Sequence, residues 1–322
     1  MRLRAKIQRD LLFFKIAQAV EKIGRSCFLK FTPDFVAFGA IHGLGDSDPT
    51  TGGGSIQCWS RLPKESLFHE YKIESNSNNE IYLEMKVEDM ILAMRTCNNA
   101  SAIVMRMTGR SADAYLTFTI TTEDHQGNSR PITQNVPIVK ILTADGASNT
   151  SVFDEPMIPT PEVHIMLPQL ERLRHVASSY KSISDYVVIS ANLAGEMVFT
   201  TSDGVQQLSH YDSDKDGGMI AAHYGAAEKA HVETRFTNLH NPVLKDDDEE
   251  HPHLDRLRSQ PKDFASVLVR VSDLQKVLQS HYVKPLNVIC SIVPSHSILF
   301  YVYLKDNTQD ATLTYFIPES AK

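Results

Sequence analysis

Residues 267–293, VLVRVSDLQKVLQSHYVKPLNVICSIV, repeat the layout of residues 82–107, YLEMKVEDMILAMRTCNNASAIVMRM. In each, a strand-like run leads to a polar pair, Glu88-Asp89 or Ser272-Asp273, which opens a stretch with helical spacing. The apolar marks of those helices are Met90, Ile91 and Met94 in one and Leu274, Val277 and Leu278 in the other. Ser272 is the expected N-cap of the second. Outward from this pair, SCFLKFTPDFVAFGA (26–40) parallels DYVVISANLAGEMVFTT (185–201). Helical spacing recurs over 9–23 and 168–181. Each half therefore reads strand, helix, a meander of strands, a second helix, then three strands. That order is an internal duplication of a β-rich unit.

An antiparallel sheet commonly buries one face, and two helices per unit suffice to cover it. Two such units side by side would put four helices on one concave surface. The chain is expected to divide into residues 1–142, a Pro-rich connector 143–161 containing EPMIPTP, and residues 162–322. At 322 residues it is long enough for two ordinary domains. With 42% hydrophobic and 22% charged residues it reads as a soluble globular chain. No run approaches the roughly 18 apolar residues of a membrane span. The first 23 residues imitate a secretory signal, but Lys15, Gln18, Glu21 and Lys22 interrupt the apolar run, so the segment reads as an amphipathic helix. Cys27, Cys58, Cys97 and Cys290 form no CxxC pair, which fits a reducing compartment and no disulfide framework.

The net charge of −7 excludes coating of nucleic acid by bulk positive charge, but not one locally positive surface. Much of the acidity is the run Asp246-Asp247-Asp248-Glu249-Glu250, inside a stretch 241–262 that reads as a solvated, mobile loop. The four helical segments are more basic than the chain around them, and cations on such a wall could track a phosphate backbone without reading bases.

Other motifs carry less. Asp212-Ser-Asp214-Lys-Asp216-Gly217 copies half of a calcium loop, but position twelve is His223 instead of an acid. The Gly-rich stretch 43–55 lacks the Lys-Ser/Thr of a phosphate-cradling loop. His251 and His253 do not make a closed metal site, and no nucleophilic triad is recognisable by spacing. Trp59 is expected in the core.

Read together, MRLRAKI, EKIGRSCFLKFTPD, NNEIYLEMKVEDMILAMRTCNNAS, FDEPMIPTPEVHIMLPQLERLRHV, SDYVVISANLAGEM and LTYFIP resemble the hydroxyurea-sensitivity (Hus) subunits of the heterotrimeric checkpoint sliding clamp, the nine-one-one complex. That complex belongs to the proliferating-cell-clamp superfamily. The resemblance covers nearly the whole chain outside loops 43–55, 211–229 and 243–262, and is strongest to fungal members. It implies an α+β DNA-clamp fold of two domains, and a ring with two paralogous subunits around double-stranded DNA in the nucleus. It further implies an ATP-driven clamp loader, checkpoint and DNA repair partners, no cofactor and no catalysis.

The resemblance also implies residue roles. Basic positions on the inner helices are Arg95, Arg172, Arg174 and Lys276. Phe13 and Phe14 stand where the proliferating-cell clamp has lysines, so the first helix departs from the basic pattern. Ring closure would use strands 131–140 and 203–209, with Ile132, Val136, Ile138, Val205 and Leu208. A partner-peptide pocket would draw on Ile41, Met157, Ile158, Tyr315 and Pro318. The residues by themselves leave open a β-rich adaptor that binds peptides along the connector without touching DNA. An enzyme would need a carboxylate cluster on strands, which the sequence does not offer.

Overall fold

The computed structural model describes residues 1–42, 55–97, 100–109, 114–123, 129–142, 157–201, 232–243, 259–306 and 309–320. In the first half these form β1 (Arg2–Ile7), α1 (Asp10–Glu21), β2 (Ser26–Phe31), β3 (Phe35–Ile41), β4 (Gln57–Pro63), β5 (Phe68–Glu74), β6 (Ile81–Lys86), α2 (Val87–Arg95), β7 (Ala102–Thr108), β8 (Tyr115–Glu123) and β9 (Ser129–Leu142). In the second half they form β10 (Val163–Met166), α3 (Leu170–Lys181), β11 (Tyr186–Ala191), β12 (Met197–Thr201), β13 (Glu233–Phe236), β14 (Ala265–Arg270), α4 (Val271–Leu278), β15 (Asn287–Val293), β16 (Ser297–Asp306) and β17 (Gln309–Pro318). A 3-10 turn over Gln279–Val283 continues α4.

The duplication extends to single hydrogen bonds. In one half, the Val87 N–H at the start of α2 donates to Arg25 O at 3.0 Å; in the other, Val271 N–H at the start of α4 donates to Asp185 O at 2.9 Å. Each helix leaves its strand without a linker, and its first orphan N–H is taken by the chain entering the neighbouring strand. The expected Ser272 cap is therefore not used: the helix starts one residue earlier, after Arg270, with no side-chain cap bond.

All strand pairings are antiparallel. One sheet runs β10-β15-β16-β17-β4-β3-β2-β6-β9-β8-β7-β1-β5, and a second runs β13-β12-β11-β14. The long sheet passes through both halves at a seam where β17 pairs with β4: Thr314 lies opposite Trp59, Tyr315 opposite Cys58 and Phe316 opposite Gln57. The Ser60 hydroxyl donates across this seam to Thr312 O at 2.8 Å.

One face of the strands carries the core. Leu3, Ala5, Ile7, Met105, Phe118, Phe300 and Tyr315 are buried there with the apolar sides of the helices. Helix α1 packs on α2 and α3 on α4, and α1 also meets the 279–283 turn, so the four helices form a continuous row across both halves. Phe13 is fully buried, with its ring 5.1 Å from Phe38 and 6.3 Å from Phe118. It leaves the basic pattern because α1 turns it into the core. Trp59 is buried, but on the opposite face of the sheet, outside the core cluster and 6.4 Å from Phe316.

Candidate nucleic-acid face and assembly edges

The four basic side chains expected on the helix row stand in different electrostatic states. Arg95, in the last turn of α2, and Arg172, in the first turns of α3, are exposed. Neither has an ion pair among the described residues. Arg174 is half-buried, and its Nη1 donates to His281 Nε2 at 3.2 Å. The His281 Nδ1–H is directed at Leu278 O at 3.0 Å, which leaves Nε2 as the acceptor. Lys276 Nζ lies 3.0 Å from Asp273 Oδ1, and that pair is largely shielded from solvent, so its net charge toward the face is small.

On α1 the outward positions are Leu11, Phe14, Lys15 and Gln18, and Lys22 follows, paired with Glu21 at 3.1 Å. Lys181 at the end of α3 is paired with Asp185, whose carboxyl is held below its ordinary value by that hydrogen bond and by the lysine's charge. The row is thus amphipathic in detail: a few free arginines among neutralised pairs and exposed apolar side chains such as Leu11 and Leu92.

The assembly edges follow from strand alternation. Ile138 N–H donates to Ala114 O at 3.0 Å, so Ile132, Gln134 and Val136 also direct their backbone groups at β8. Pro131, Thr133, Asn135 and Pro137 direct theirs the other way, toward an edge with no partner strand among the described residues over 129–137. Prolines have no N–H, so only Thr133 and Asn135 donate between them. Of the residues expected at this edge, Ile132 is exposed, whereas Val136 and Ile138 are buried in the core because their side chains share the inward parity. Val205 and Leu208 lie outside the described residues.

At the other end, β13 pairs with β12 alone among the described residues. It is the counterpart of β4: Ser60 lies opposite Phe38 in β3 as Thr234 lies opposite Phe199 in β12. The buried Tyr180 hydroxyl donates to Phe199 O at 2.8 Å and lies 3.1 Å from Thr234 Oγ1, which ties this edge to α3. The strand 203–209 expected at this edge lies outside the described residues; among those described, the edge strand is β13.

The pocket residues divide by the same parity. Ile41 and Phe316 both lie opposite Gln57 across neighbouring strand pairs, and the Phe316 ring is 6.2 Å from His296. Pro318 lies opposite Ser297, Met157 is almost fully exposed and Ile158 is half-buried. Tyr315 instead points into the core, where burial raises its hydroxyl pKa well above the ordinary range. Its neighbour Phe316 is the aromatic ring on the outer face.

No group of three metal-ligating side chains comes together among the described residues, and no helix among them is long and apolar enough to cross a membrane. All four cysteines are buried and free; burial pushes the Cys27 thiol up to about 12 and Cys97 up to about 11, and Cys58 and Cys290 upward as well. The calcium-like segment and His251 and His253 lie outside the described residues.

Comparison with known proteins agrees with this architecture. Proliferating cell nuclear antigen from Thermococcus kodakaraensis superposes with a TM-score of 0.59 at 15% identity, covering 98% of this chain and 100% of that one. The same antigen from Entamoeba histolytica gives 0.61 at 9% identity, with 99% of each chain covered. These likenesses establish the clamp fold. Checkpoint protein hus1 of Schizosaccharomyces pombe is 30% identical over 323 residues, covering 98% of each chain. Checkpoint protein HUS1 of Homo sapiens is 28% identical, covering 99% of each. The profile of the family described as Hus1-like protein matches residues 1–321, and the chain therefore belongs to that family.

Proposed function

We propose that this chain is one of three different subunits of a ring that encircles duplex DNA in the nucleus, is loaded there by an ATP-driven loader, and serves as a scaffold for checkpoint and repair proteins. As a family member it is a checkpoint sliding-clamp subunit and not an enzyme. In this reading residues 1–142 and 162–322 are the two clamp domains and 143–161 the connector. Arg95 and Arg172 are the principal partners of phosphate, and Arg174 and Lys276 contribute less. Ile41, Met157, Ile158 and Pro318, with Phe316 in place of Tyr315, bound the partner-peptide pocket.

The observation that carries the reading is the seam between the halves. Glu319 N–H donates to His296 O as Ile138 N–H donates to Ala114 O, so Thr314 and Phe316 of β17 correspond to Thr133 and Asn135 of β9. In β17 those two positions direct their backbone at β4. In β9 the same two positions face an edge unpaired among the described residues, and the counterpart of β4, β13, has such an edge as well. A chain that carries both halves of its own joint, one at each end, supports repetition of that joint between subunits. On this template, Thr133 lies opposite the position that Glu233 holds in the neighbour's second domain.

The test is assembly with the two partner subunits. A 1:1:1 ring that stays on closed circular DNA and slides off linear DNA is expected. Failure of the three chains to assemble would overturn the reading.

A further inference from the structure

The outer face of the first half, turned away from the helix row, carries a feature that ring assembly does not use. Leu3, Ala5 and Ile7 of β1 and Ile103 and Met105 of β7 point into the core, so Arg4, Lys6 and Arg106 point outward. Strand register puts Lys72 of β5 directly opposite Arg4, and Arg4 directly opposite Arg106. Three cations on three adjacent strands therefore stand side by side at one level. At strand spacing of about 5 Å the row spans roughly 10 Å. It continues into Thr117 opposite Arg106 and Asn135 opposite Thr117, where Thr117 Oγ1 donates to Asn135 Oδ1 at 2.8 Å.

The neighbouring levels show that this row is not ordinary surface solvation. One level away Lys6 lies opposite Glu70, and on the other side Arg2 lies opposite Glu74. Arg2 and Glu74 approach to 3.6 Å, the opposite-charge pairing that stabilises a sheet surface, whereas like charges directly opposite destabilise it. In the central row only Arg4 has a carboxylate, Glu70 at 2.9 Å, and that pair is about half exposed. Lys72 and Arg106 are exposed and have no ion pair among the described residues. The sheet thus carries excess positive charge around this level, in a chain of net charge −7.

We propose that the Lys72–Arg4–Arg106 row is a docking site for an acidic peptide segment of a partner protein, with side-chain carboxylates received by the two guanidinium groups and the ammonium. Carboxylates suit the planar forks of Arg4 and Arg106. Nucleic acid suits the surface less. The row is only about 10 Å long and is flanked by Glu70 and Glu74, which oppose a continuing phosphate backbone. The central row itself holds no aromatic ring on which bases could stack.

The site is tested on the full-length chain by fluorescence anisotropy with a labelled peptide of alternating Asp and Glu. The parent is expected to bind it in a salt-sensitive manner. The variant R4Q/K72Q/R106Q is expected to weaken binding about tenfold or more. The control variant K86Q/K140Q/K262Q, which removes equal charge at exposed lysines elsewhere, is expected to bind as the parent does. Thermal melting of R4Q/K72Q/R106Q should match or exceed the parent, since like-charge repulsion is relieved. No binding by the parent, equal weakening in both variants, or tighter row-dependent binding of an oligothymidine than of the peptide would each overturn the proposal. None of these results depends on whether the chain closes a ring, so the site and the ring stand or fall separately.

Discussion

Tyr315 lies directly opposite Cys58 where β17 joins β4, and both side chains are buried in the core. This pair sits on the line where one half of the molecule continues into the other. Substituting Tyr315→Phe removes one buried hydroxyl and is expected to change stability by about 1 kcal/mol or less. Tyr315→Ala also removes the ring and should cost about 3–5 kcal/mol. Urea unfolding of the two variants measures both. A destabilisation under about 0.5 kcal/mol for Tyr315→Ala would contradict the core position of that ring.

Proline substitution distinguishes the two sides of β9. Thr133 directs its N–H at the open edge, so Thr133→Pro should leave the isolated chain's melting temperature nearly unchanged. It should weaken ring assembly by about tenfold, equivalent to about 1.4 kcal/mol. Gln134→Pro removes an N–H directed at β8 and should destabilise the chain itself. Circular dichroism melts together with analytical ultracentrifugation of the three-subunit mixture check both; a Thr133→Pro chain that unfolds as readily as Gln134→Pro would refute the assigned parity.

The helix row predicts unequal contributions to DNA retention. Arg95→Ala combined with Arg172→Ala removes two free exposed charges. The slope of log affinity against log salt should flatten by up to roughly 0.9 for each phosphate that is no longer neutralised. Lys276→Ala should have little effect, because Asp273 already offsets that charge. Measurement on nicked circular DNA over a salt series gives the slopes; a larger effect from Lys276→Ala would reverse this ranking.

The thiols predict silence toward disulfide reagents. A cysteine reacts as thiolate, and a folded pKa of about 12 at Cys27 leaves almost none at neutral pH. Because these pKa values are raised, the stability linked to neutral thiols is fully present below the unfolded value near 9.0 and is lost as pH rises through about 11 at Cys97 and 12 at Cys27. Native protein at pH 8 should therefore label slowly at all four positions and completely after denaturation. Fast labelling of any of them in the native state would contradict the burial.

The duplication was legible in the sequence because two periods, near two for strands and near 3.6 for helices, alternate in the same order twice. Which face each strand turns inward was not. Tyr315 and Phe316 are adjacent aromatics, and composition does not say which of them enters the core; register with Cys58 and Gln57 decides it. Val136 and Ile138 suited an interface by type, but they share the parity of the strand positions that meet Leu116 and Phe118, and so belong inside. Ser272 looked like a cap because its residue type favours one, while a backbone carbonyl from Asp185 already fills that role. Lys276 and Arg95 look alike as letters and differ only through Asp273.

Pro131 and Pro137 bear on the life of the subunit before it meets its neighbours. An open strand edge invites any passing strand, including another copy of itself, to add on and grow into an aggregate. Between them only Thr133 and Asn135 donate, so an indiscriminate strand gains two N–H bonds there and meets a proline on either side. Prolines so placed on an edge oppose open-ended strand addition while leaving two donors for a short partner strand.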